Sequence, residues 1–396
     1  SIHIDDGRDP GPLANPGHWF ILFGLMGVMA AGVIGMALPR EATRSSIRIP
    51  GIGDHAPVGA VIVTVCGAFS LTAFPLDDVW HRIFGQDVTL WSPTHLMLIT
   101  GASLSTFGAL ALYRESLEES DESVAAPARA GWLLAPLTGA LLIGLNTFMA
   151  EFDFAVPQFR LDMHGIGLAL AAGIALVAAR LVIGPYGALA TVGFFLLMRG
   201  ALFLIVGPGL GGTEPRFPLY LAEAVIVELV ALFLLRGGGS PQRRPVVFGA
   251  VCGALIGTVG YAAEYGWSHV WMVHPWTAST LPEGLIAAFL MAVAAGTIGG
   301  FVGRALTLRG TRLAPAPYWA LPAAAALALG VALWGIPIDG GDGSTSAAIS
   351  GMMMIAPKMT TGASTESGTV YHFWDPSLIV GSTTSPNMSR GTVQPS

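Results

Sequence analysis

The sequence predicts an all-α integral membrane protein with about ten transmembrane helices. Of its 396 residues, 53% are hydrophobic and only 11% are charged, a balance that soluble domains do not have. Apolar runs of about 20 residues, the length needed to cross a bilayer, recur along the chain. Strands are not expected, because lipid does not tolerate open sheet edges.

The apolar runs divide the chain into three parts. Residues 1–17 form an outer segment, residues 18–336 a polytopic helical domain, and residues 337–396 a Gly-, Ser- and Thr-rich outer tail that is expected to be flexible. The tail holds methionines whose thioethers could bind copper(I), namely Met352, Met353, Met354 and Met359. The predicted spans are 18–38, 57–75, 94–113, 131–150, 163–182, 187–207, 218–236, 245–263, 283–303 and 316–335.

Positive charge alternates from one loop to the next. Arginines end or follow the first, third, fifth, seventh and ninth spans, whereas the intervening loops are rich in Asp, Glu, His and Trp. The positive-inside rule therefore assigns both termini and the intervening loops to the outer side of a bacterial-type cytoplasmic membrane. A net charge of −6 without an outward basic patch argues against nucleic-acid binding.

The stretch DDVWHRIFGQDVTLWSPTH, residues 77–95, concentrates metal-binding side chains between two apolar spans. Asp77 and His81 are four residues apart, which puts both on one face of a helix. Ser92 and Pro93 predict a helix start with Ser92 as its N-cap, so His95 falls in the first turn of the next span. A helical hairpin would bring His95 back beside Asp77 and His81.

Two imidazoles and one carboxylate around a common point suit a divalent transition metal, either copper, non-haem iron or zinc. Asp78 and Asp87 are candidates for hydrogen bonds that orient the imidazoles. The alternative is a group of solvated loop residues at the membrane interface, in which Trp80 and Trp91 belong to the aromatic belt.

The same stretch resembles the copper-binding segment of a membrane subunit of the copper membrane monooxygenases, the particulate methane, ammonia and short-chain hydrocarbon monooxygenases. The resemblance implies copper ligands at Asp77, His81 and His95, partner membrane subunits, and oxidation of a small substrate with O₂. It extends over residues 77–95 alone, and this chain has one extra residue between Asp87 and His95. The matching residues are Asp77, Trp80, His81, Asp87, Ser92, Pro93, Thr94 and His95.

A fainter copy of the motif precedes the ninth span. His269 follows His81 by 188 residues, and Glu283 follows His95 by the same 188 residues. This spacing suggests an internal duplication with halves at about 18–150 and 218–336, a common feature of membrane folds. The copy offers a second candidate cluster, formed by Glu264, His269, His274 and Glu283.

Two charged residues fall near the middle of predicted spans, Arg199 in the sixth and Glu228 in the seventh. Charges in lipid are costly, so they are usually paired or functional. We expect either an ion pair between these two residues or a role in proton or ligand handling. The outer loops add further polar residues, read either as surface groups or as part of an outer metal cluster: Glu151, Asp153, Asp162, His164, Glu214 and Glu223.

Three functions remain open from these patterns. The first is a subunit of a copper-dependent membrane monooxygenase. The second is non-enzymatic metal handling, such as copper binding or transport, although a transporter needs a polar path across the membrane and only Arg199 and Glu228 are predicted there. The third is an accessory scaffold subunit of a larger membrane complex.

Overall fold

The computed structural model describes residues 16–39, 46–51, 53–84, 90–119, 126–157, 159–235 and 244–307. Asp87, the tenth predicted span and the methionines of the tail lie outside these ranges. The described residues are mainly helical, which confirms the predicted class. The helices are α1 (Pro16–Ala37), α2 (Val58–Phe84), α3 (Pro93–Glu119), α4 (Ala126–Thr147), α5 (Ala150–Asp153), α6 (Asp162–Ile183), α7 (Gly187–Leu204), α8 (Leu221–Leu234), α9 (Arg244–Leu255), α10 (Tyr261–Trp271) and α11 (Leu281–Thr307).

Within the described ranges, seven helical stretches rather than ten are long and apolar enough to cross a membrane. Two further predicted spans are shorter, at Leu133–Thr147 and in the 14 residues of α8. Helix α8 starts three residues later than expected because Tyr220, the residue before it, has a left-handed backbone with a φ of 54°. The seven stretches are His18–Ala37, Val58–Ile83, Pro93–Ser116, Asp162–Ile183, Gly187–Gly209, Arg244–Trp271 and Ala278–Thr307.

Two of these stretches contain a π-helical turn. Ile205–Gly209 continues α7, and Ile256–Gly260 joins α9 to α10. A π-helical turn holds one more residue than the α-helical turn it replaces, and such turns occur often at functional sites. The second of them lies against Glu223, in the first turn of α8.

A short β-hairpin between α1 and α2 departs from the expectation that the chain has no strands. Strand β1 (Ile47–Ile49) pairs antiparallel with strand β2 (Gly53–Ala56), and Ile47 lies opposite Ala56. The hairpin lies outside the apolar stretches, so the rule against sheet edges in lipid does not apply to it. Ala56 is buried against Met36 and Ala60, which anchors the hairpin to α1 and α2.

Helices α6, α9 and α11 form the tightest part of the bundle, with α11 between the other two. Gly249 and Gly253 on α9 face Gly296 and Ala292 on α11 so closely that a Cβ atom at either α9 glycine would collide with the opposite backbone. Small residues allow such close approach, which is the main source of helix association where lipid supplies no hydrophobic driving force.

Helices α1, α2 and α3 form a second group. Helix α2 packs antiparallel to α3, α1 packs on α2, and α4 connects α3 to α6 and α7. Two polar contacts join helix ends here: the Gly59 N–H donates to Glu115 Oε2 at 3.2 Å, and Arg114 Nε donates to the Leu306 carbonyl at 2.8 Å. Whether the two groups descend from one duplicated unit stays a prediction.

The loops at the opposite end of the bundle are joined to one another. The Arg216 N–H donates to the Asp153 carbonyl at 2.8 Å, and His274 Nε2 donates to the Ala155 carbonyl at 3.2 Å. The C-terminal end of α2 and the N-terminal ends of α3, α6, α8 and α11 all lie here. We call this end, with the loops at 90–92, 148–157, 210–220 and 272–277, the site end.

Close packing between α9 and α11 leads to a test. We expect Gly253→Ala to destabilise the protein by about 1–3 kcal/mol, because the new methyl group must displace the backbone at Ala292 and Val293. Gly193→Ala on α7 is the matched control, since a Cβ there meets no atom of the described residues within 4 Å. Thermal unfolding in detergent measures both, and equal melting temperatures for the two variants would contradict the packing argument.

Candidate metal centre

Helix α2 carries the first two residues of the motif. It continues beyond the predicted span to Phe84, through Pro75, and so places Asp77 and His81 one turn apart on the same face. Nε2 of His81 lies 3.8 Å from Oδ1 of Asp77. The two side chains therefore bring an imidazole nitrogen and a carboxylate oxygen close to each other.

Helix α3 begins as the sequence predicts, at Pro93. The Leu96 N–H donates to the Ser92 carbonyl at 2.9 Å, and the His95 N–H donates to the Ser92 hydroxyl at 3.3 Å. Ser92 is thus the N-cap, and its side chain satisfies one of the backbone N–H groups that a helix start leaves without a partner. This cap fixes His95 in the first turn of α3.

The α2–α3 hairpin brings the three predicted ligands together. Nε2 of His95 lies 3.6 Å from Oδ1 of Asp77, and the two imidazole rings meet nearly at right angles, with centroids 6.2 Å apart. One ligand atom from each residue lies within 4.8 Å of the other two. Among the described residues, this is the one group of three or more His, Cys, Asp or Glu side chains with such spacing.

Thr94 is the residue that holds the Asp77 carboxylate. Its hydroxyl donates to Oδ1 of Asp77 at 2.5 Å, and both side chains are buried. The sequence predicted Asp78 and Asp87 for supporting roles instead. Asp78 points away and pairs with the exposed Arg82 at 2.8 Å, and Asp87 lies outside the described residues.

The segment just before α3 is fixed to the rest of the bundle. The Leu90 N–H donates to Oε1 of Glu151 at 2.6 Å, and the Trp91 ring packs against Phe148 and Phe159. Helix α5 and its flanking residues therefore position the start of α3. The sequence suggested that Trp91 belongs to the aromatic belt at the membrane interface. In the structure its ring also packs against other aromatic side chains of the protein.

The three donors are of the types that bind a transition-metal ion, and both histidines lie at a suitable distance from Asp77. Copper, iron and zinc bind imidazole nitrogen and carboxylate oxygen at about 2.0–2.2 Å, so two donors of one ion lie roughly 3–4 Å apart. The two distances from Asp77 fall in this range. The His81 and His95 side chains remain 15% and 26% exposed, which leaves a side of the group open to a further ligand.

The second predicted cluster does not come together in the structure, since each of its four members has a different partner. Glu264 is buried and accepts backbone N–H groups from Leu219 and Tyr220. His269 Nδ1 donates to the carbonyl of Tyr265, one turn earlier. The remaining two members, His274 and Glu283, contact Ala155 and Arg160 respectively.

Asp153 belongs to a buried polar network and not to the metal group. Asp153 is completely buried; its Oδ2 accepts hydrogen bonds from Arg199 Nη2 at 2.5 Å and Asn146 Nδ2 at 3.0 Å. The Tyr220 hydroxyl donates to Asn146 Oδ1 at 2.9 Å and extends the network toward α8. Burial raises the pKa of Asp153 to about 7, although Arg199 and Asn146 act to lower it.

His164 is arranged as a structural residue. The indole N–H of Trp276 donates to His164 Nδ1 at 3.1 Å, and an indole can only donate. Nδ1 is therefore the acceptor, so a neutral His164 carries its proton on Nε2, which faces Asp153 Oδ1 at 3.9 Å. A protonated Nε2 cannot bind a metal ion, in contrast to the role predicted for His81 and His95.

The predicted pairing of Arg199 with Glu228 is wrong. Arg199 pairs with Asp153, because the short helix α5 brings that carboxylate inside the bundle beside α7. Glu228 pairs with Arg180 Nε at 2.7 Å near the opposite end and accepts the backbone N–H groups of Tyr186 and Ala188, at the start of α7. Both charges are thus structurally paired.

No protein-family model, curated protein or solved structure matches the chain. The resemblance to the copper membrane monooxygenases therefore stays confined to the motif at 77–95.

The buried pair of Asp153 and Arg199 leads to a second test. We expect Arg199→Met to cost about 3–5 kcal/mol, because it leaves a buried carboxyl group without its cation. Arg82→Met is the matched control: the Arg82–Asp78 pair is exposed, so its loss should change stability by under about 1 kcal/mol. The double variant Asp153→Asn/Arg199→Met should recover part of the loss, and additive losses would contradict the pairing.

The cost of Arg199→Met should also depend on pH. An acid whose pKa is raised by folding loses stability as pH rises from its ordinary pKa to the folded one. In the wild type this loss ends near the folded pKa of Asp153, about 7. Without Arg199 the folded pKa is higher, so we expect the difference in melting temperature to widen between about pH 7 and pH 9. A constant difference would contradict this assignment.

Proposed function

We propose that this protein binds one copper ion at Asp77, His81 and His95 and acts as a subunit or relative of a copper-dependent membrane monooxygenase. The observation that supports the proposal is the convergence of the three side chains at the end of the α2–α3 hairpin. These residues lie 18 positions apart in sequence at most, yet they meet only because the N-cap at Ser92 and the hairpin both form.

Copper is the preferred ion for two reasons. Imidazole donors suit copper, and Cu²⁺ binds such sites more strongly than the other divalent first-row ions. The stretch at 77–95 also resembles the copper-binding segment of the copper membrane monooxygenases. Iron and zinc suit the same donors, and analysis of the bound metal separates the three.

The residues around the site have definite roles in this proposal. The Thr94 hydroxyl holds Asp77 in place, and Ser92 and Glu151 fix the start of α3 that carries His95. Bound copper supplies one-electron redox chemistry with O₂. In the overall reaction one oxygen atom enters a C–H bond of the substrate and the other leaves as water, with two electrons and two protons from an external reductant.

The surroundings favour a small apolar substrate. Leu76, Val79 and Ile83 surround Asp77 and His81 on α2 and are 44%, 49% and 66% exposed. In a membrane such side chains face lipid or another subunit. We expect a hydrocarbon or similarly apolar molecule dissolved in lipid to approach the site along these side chains, which also offer partner membrane subunits an apolar surface.

The distribution of arginine supports an outer location for the site. Arg114, Arg180 and Arg304 lie near the C-terminal ends of α3, α6 and α11, at the end opposite the site. Arg48 and Arg244 add to the arginines of that end, whereas the described arginines at the site end are Arg82, Arg160 and Arg216. The positive-inside rule then favours a site end outside the cytoplasmic membrane.

The first experiment is metal analysis of purified protein by mass spectrometry after copper loading. We expect about one copper per wild-type chain and a loss of most of it in Asp77→Ala, His81→Ala and His95→Ala, since each removes one of three ligands. Asp78→Ala and His269→Ala are matched controls, because both residues lie outside the group and should keep the copper.

Wild-type protein without copper, iron or zinc would overturn the metal site and the enzyme together. A second assay measures O₂-dependent product formation in membranes that contain the partner subunits and a reductant. If copper is bound but no product forms, the result favours metal handling instead. Equal copper in wild type and ligand variants would place the ion elsewhere and also contradict the proposal.

The support of Asp77 by Thr94 gives a subtler test. We expect Thr94→Val to lower copper affinity about 10- to 100-fold, because the carboxylate loses the hydrogen bond that orients it. Thr106→Val is the matched control on the same helix, since the Thr106 hydroxyl donates to the Ser103 carbonyl, away from the metal group. Competition with a chelator of known affinity measures both. Unchanged affinity in Thr94→Val would show that the bond has no role in metal binding.

A further inference from the structure

The second half of the bundle encloses a small cavity that the metal site does not involve. The cavity has room for about one water molecule, roughly 10 Å³, and lies between α6, α8, α10 and the residue Trp276. Its polar lining consists of Glu223, Glu264 and Tyr261. Helix α6 contributes only the apolar residues Gly165, Leu168 and Ala169.

Glu264 accepts backbone hydrogen bonds from the segment that leads into α8. Its Oε1 accepts the N–H groups of Leu219 at 3.0 Å and Tyr220 at 2.6 Å, and its Oε2 lies 3.3 Å from the Leu219 N–H. These N–H groups precede α8, where Tyr220 has a left-handed backbone and no side-chain cap. An ionised carboxylate only accepts hydrogen bonds, and accepting several backbone N–H groups favours that form.

Glu223 has no such partners. It is 3% exposed, and its Oε2 finds no hydrogen-bond partner among the described residues; the same is true of the buried hydroxyl of Tyr261. The Glu223 carboxyl lies against the π-helical turn at Gly260, where an added Cβ would be only 3.0 Å from Oε1. The side chains that line this cavity therefore include two buried oxygen atoms, Glu223 Oε2 and the Tyr261 hydroxyl, without a hydrogen-bond partner among the described residues.

The charges around the cavity do not balance. Two carboxyl groups line it, and no cationic side chain from the described part of the chain does. Two nearby arginines already have acids: Arg199 pairs with Asp153, and Arg160 pairs with Asp162 and Glu283. Two ionised carboxylates together in a low-dielectric interior are strongly unfavourable, so one positive charge is required.

We propose that the Glu223–Glu264 cavity is a binding site for one monovalent cation, either a proton or a sodium ion, coordinated by Glu223, Glu264 and Tyr261. The available donors are carboxyl and hydroxyl oxygens, which bind hard ions such as these and not soft ones. The size of the cavity admits one ion of this kind. Neither the donors nor the location involve the copper motif, so the two proposals stand or fall separately.

A line of polar side chains connects the cavity to the surface at the site end. The Tyr261 hydroxyl lies close to Gly284 and to the Asp162 side chain. Asp162 Oδ2 accepts a hydrogen bond from Arg160 Nη2 at 2.7 Å, and Arg160 also binds Glu283, whose side chain is 47% exposed. Intramembrane acids with such a path commonly belong to ion or proton routes. The path gives the cation access from the site end.

The test is thermal unfolding of the full-length protein in detergent, with sodium chloride exchanged for choline chloride at constant ionic strength. If sodium binds, we expect it to raise the melting temperature by roughly 2–4 °C at alkaline pH, and less at acid pH, where protons compete. If the proton is the ligand, sodium has no effect, and the infrared carbonyl band of protonated carboxylic acids is stronger in wild type than in Glu223→Gln. The comparison is made at about pH 9, where Asp153 is ionised and does not contribute to the band.

Glu223→Gln should abolish whichever response the wild type shows. Glu228→Gln is the matched control on the same helix, because Glu228 already pairs with Arg180, and it should keep the response at a lower melting temperature. Tyr261→Phe provides a second variant if Glu223→Gln fails to fold, and it should weaken the response. A wild type with neither a sodium effect nor an infrared band that depends on Glu223 would overturn the proposal, as would a response that survives in Glu223→Gln or is unchanged in Tyr261→Phe.

Discussion

Backbone N–H groups at the starts of helices are the constraint on which the arrangement of this bundle depends. These groups have no partner within their own helix, and each one that is buried without any partner costs about 1–3 kcal/mol, a large fraction of the net stability of a typical domain. Carboxylates from neighbouring segments accept them instead, and each such contact joins two elements that are distant in sequence. The pairs are Glu115 with Gly59, Glu151 with Leu90, Glu228 with Tyr186 and Ala188, and Glu264 with Leu219 and Tyr220.

Two of these contacts also position the candidate sites. Glu151 fixes the segment that leads into α3 and so determines where His95 lies relative to Asp77. Glu264 fixes the start of α8 and at the same time lines the cavity beside Glu223. The structural and chemical roles of a carboxylate are therefore hard to separate here, which is why the tests of the metal group and of the cavity include a carboxylate or hydroxyl control from outside each site.

The sequence predicted local features well and partner choice poorly. The N-cap at Ser92 and the shared face of Asp77 and His81 depend only on residues a few positions apart, and both are present. The partner of Arg199 could not be predicted, because it depends on the short helix α5, which carries Asp153 inside the bundle and has no pattern of its own. The start of α8 depends on the left-handed backbone of Tyr220, a conformation uncommon for residues other than glycine, and the support of Asp77 by Thr94 required the hairpin in three dimensions.

The π-helical turn at Ile256–Gly260 has a consequence for the length of the chain. Its one additional residue turns everything that follows in α10 by about 100° relative to α9, the rotation of a single α-helical position. A natural variant lacking one residue between positions 256 and 260 would relax to a continuous α-helix. Glu264 would then rotate away from Leu219 and Tyr220, and Tyr261 away from the cavity. A one-residue deletion in this turn would therefore keep the helix and still lose the contacts of Glu264 with the start of α8.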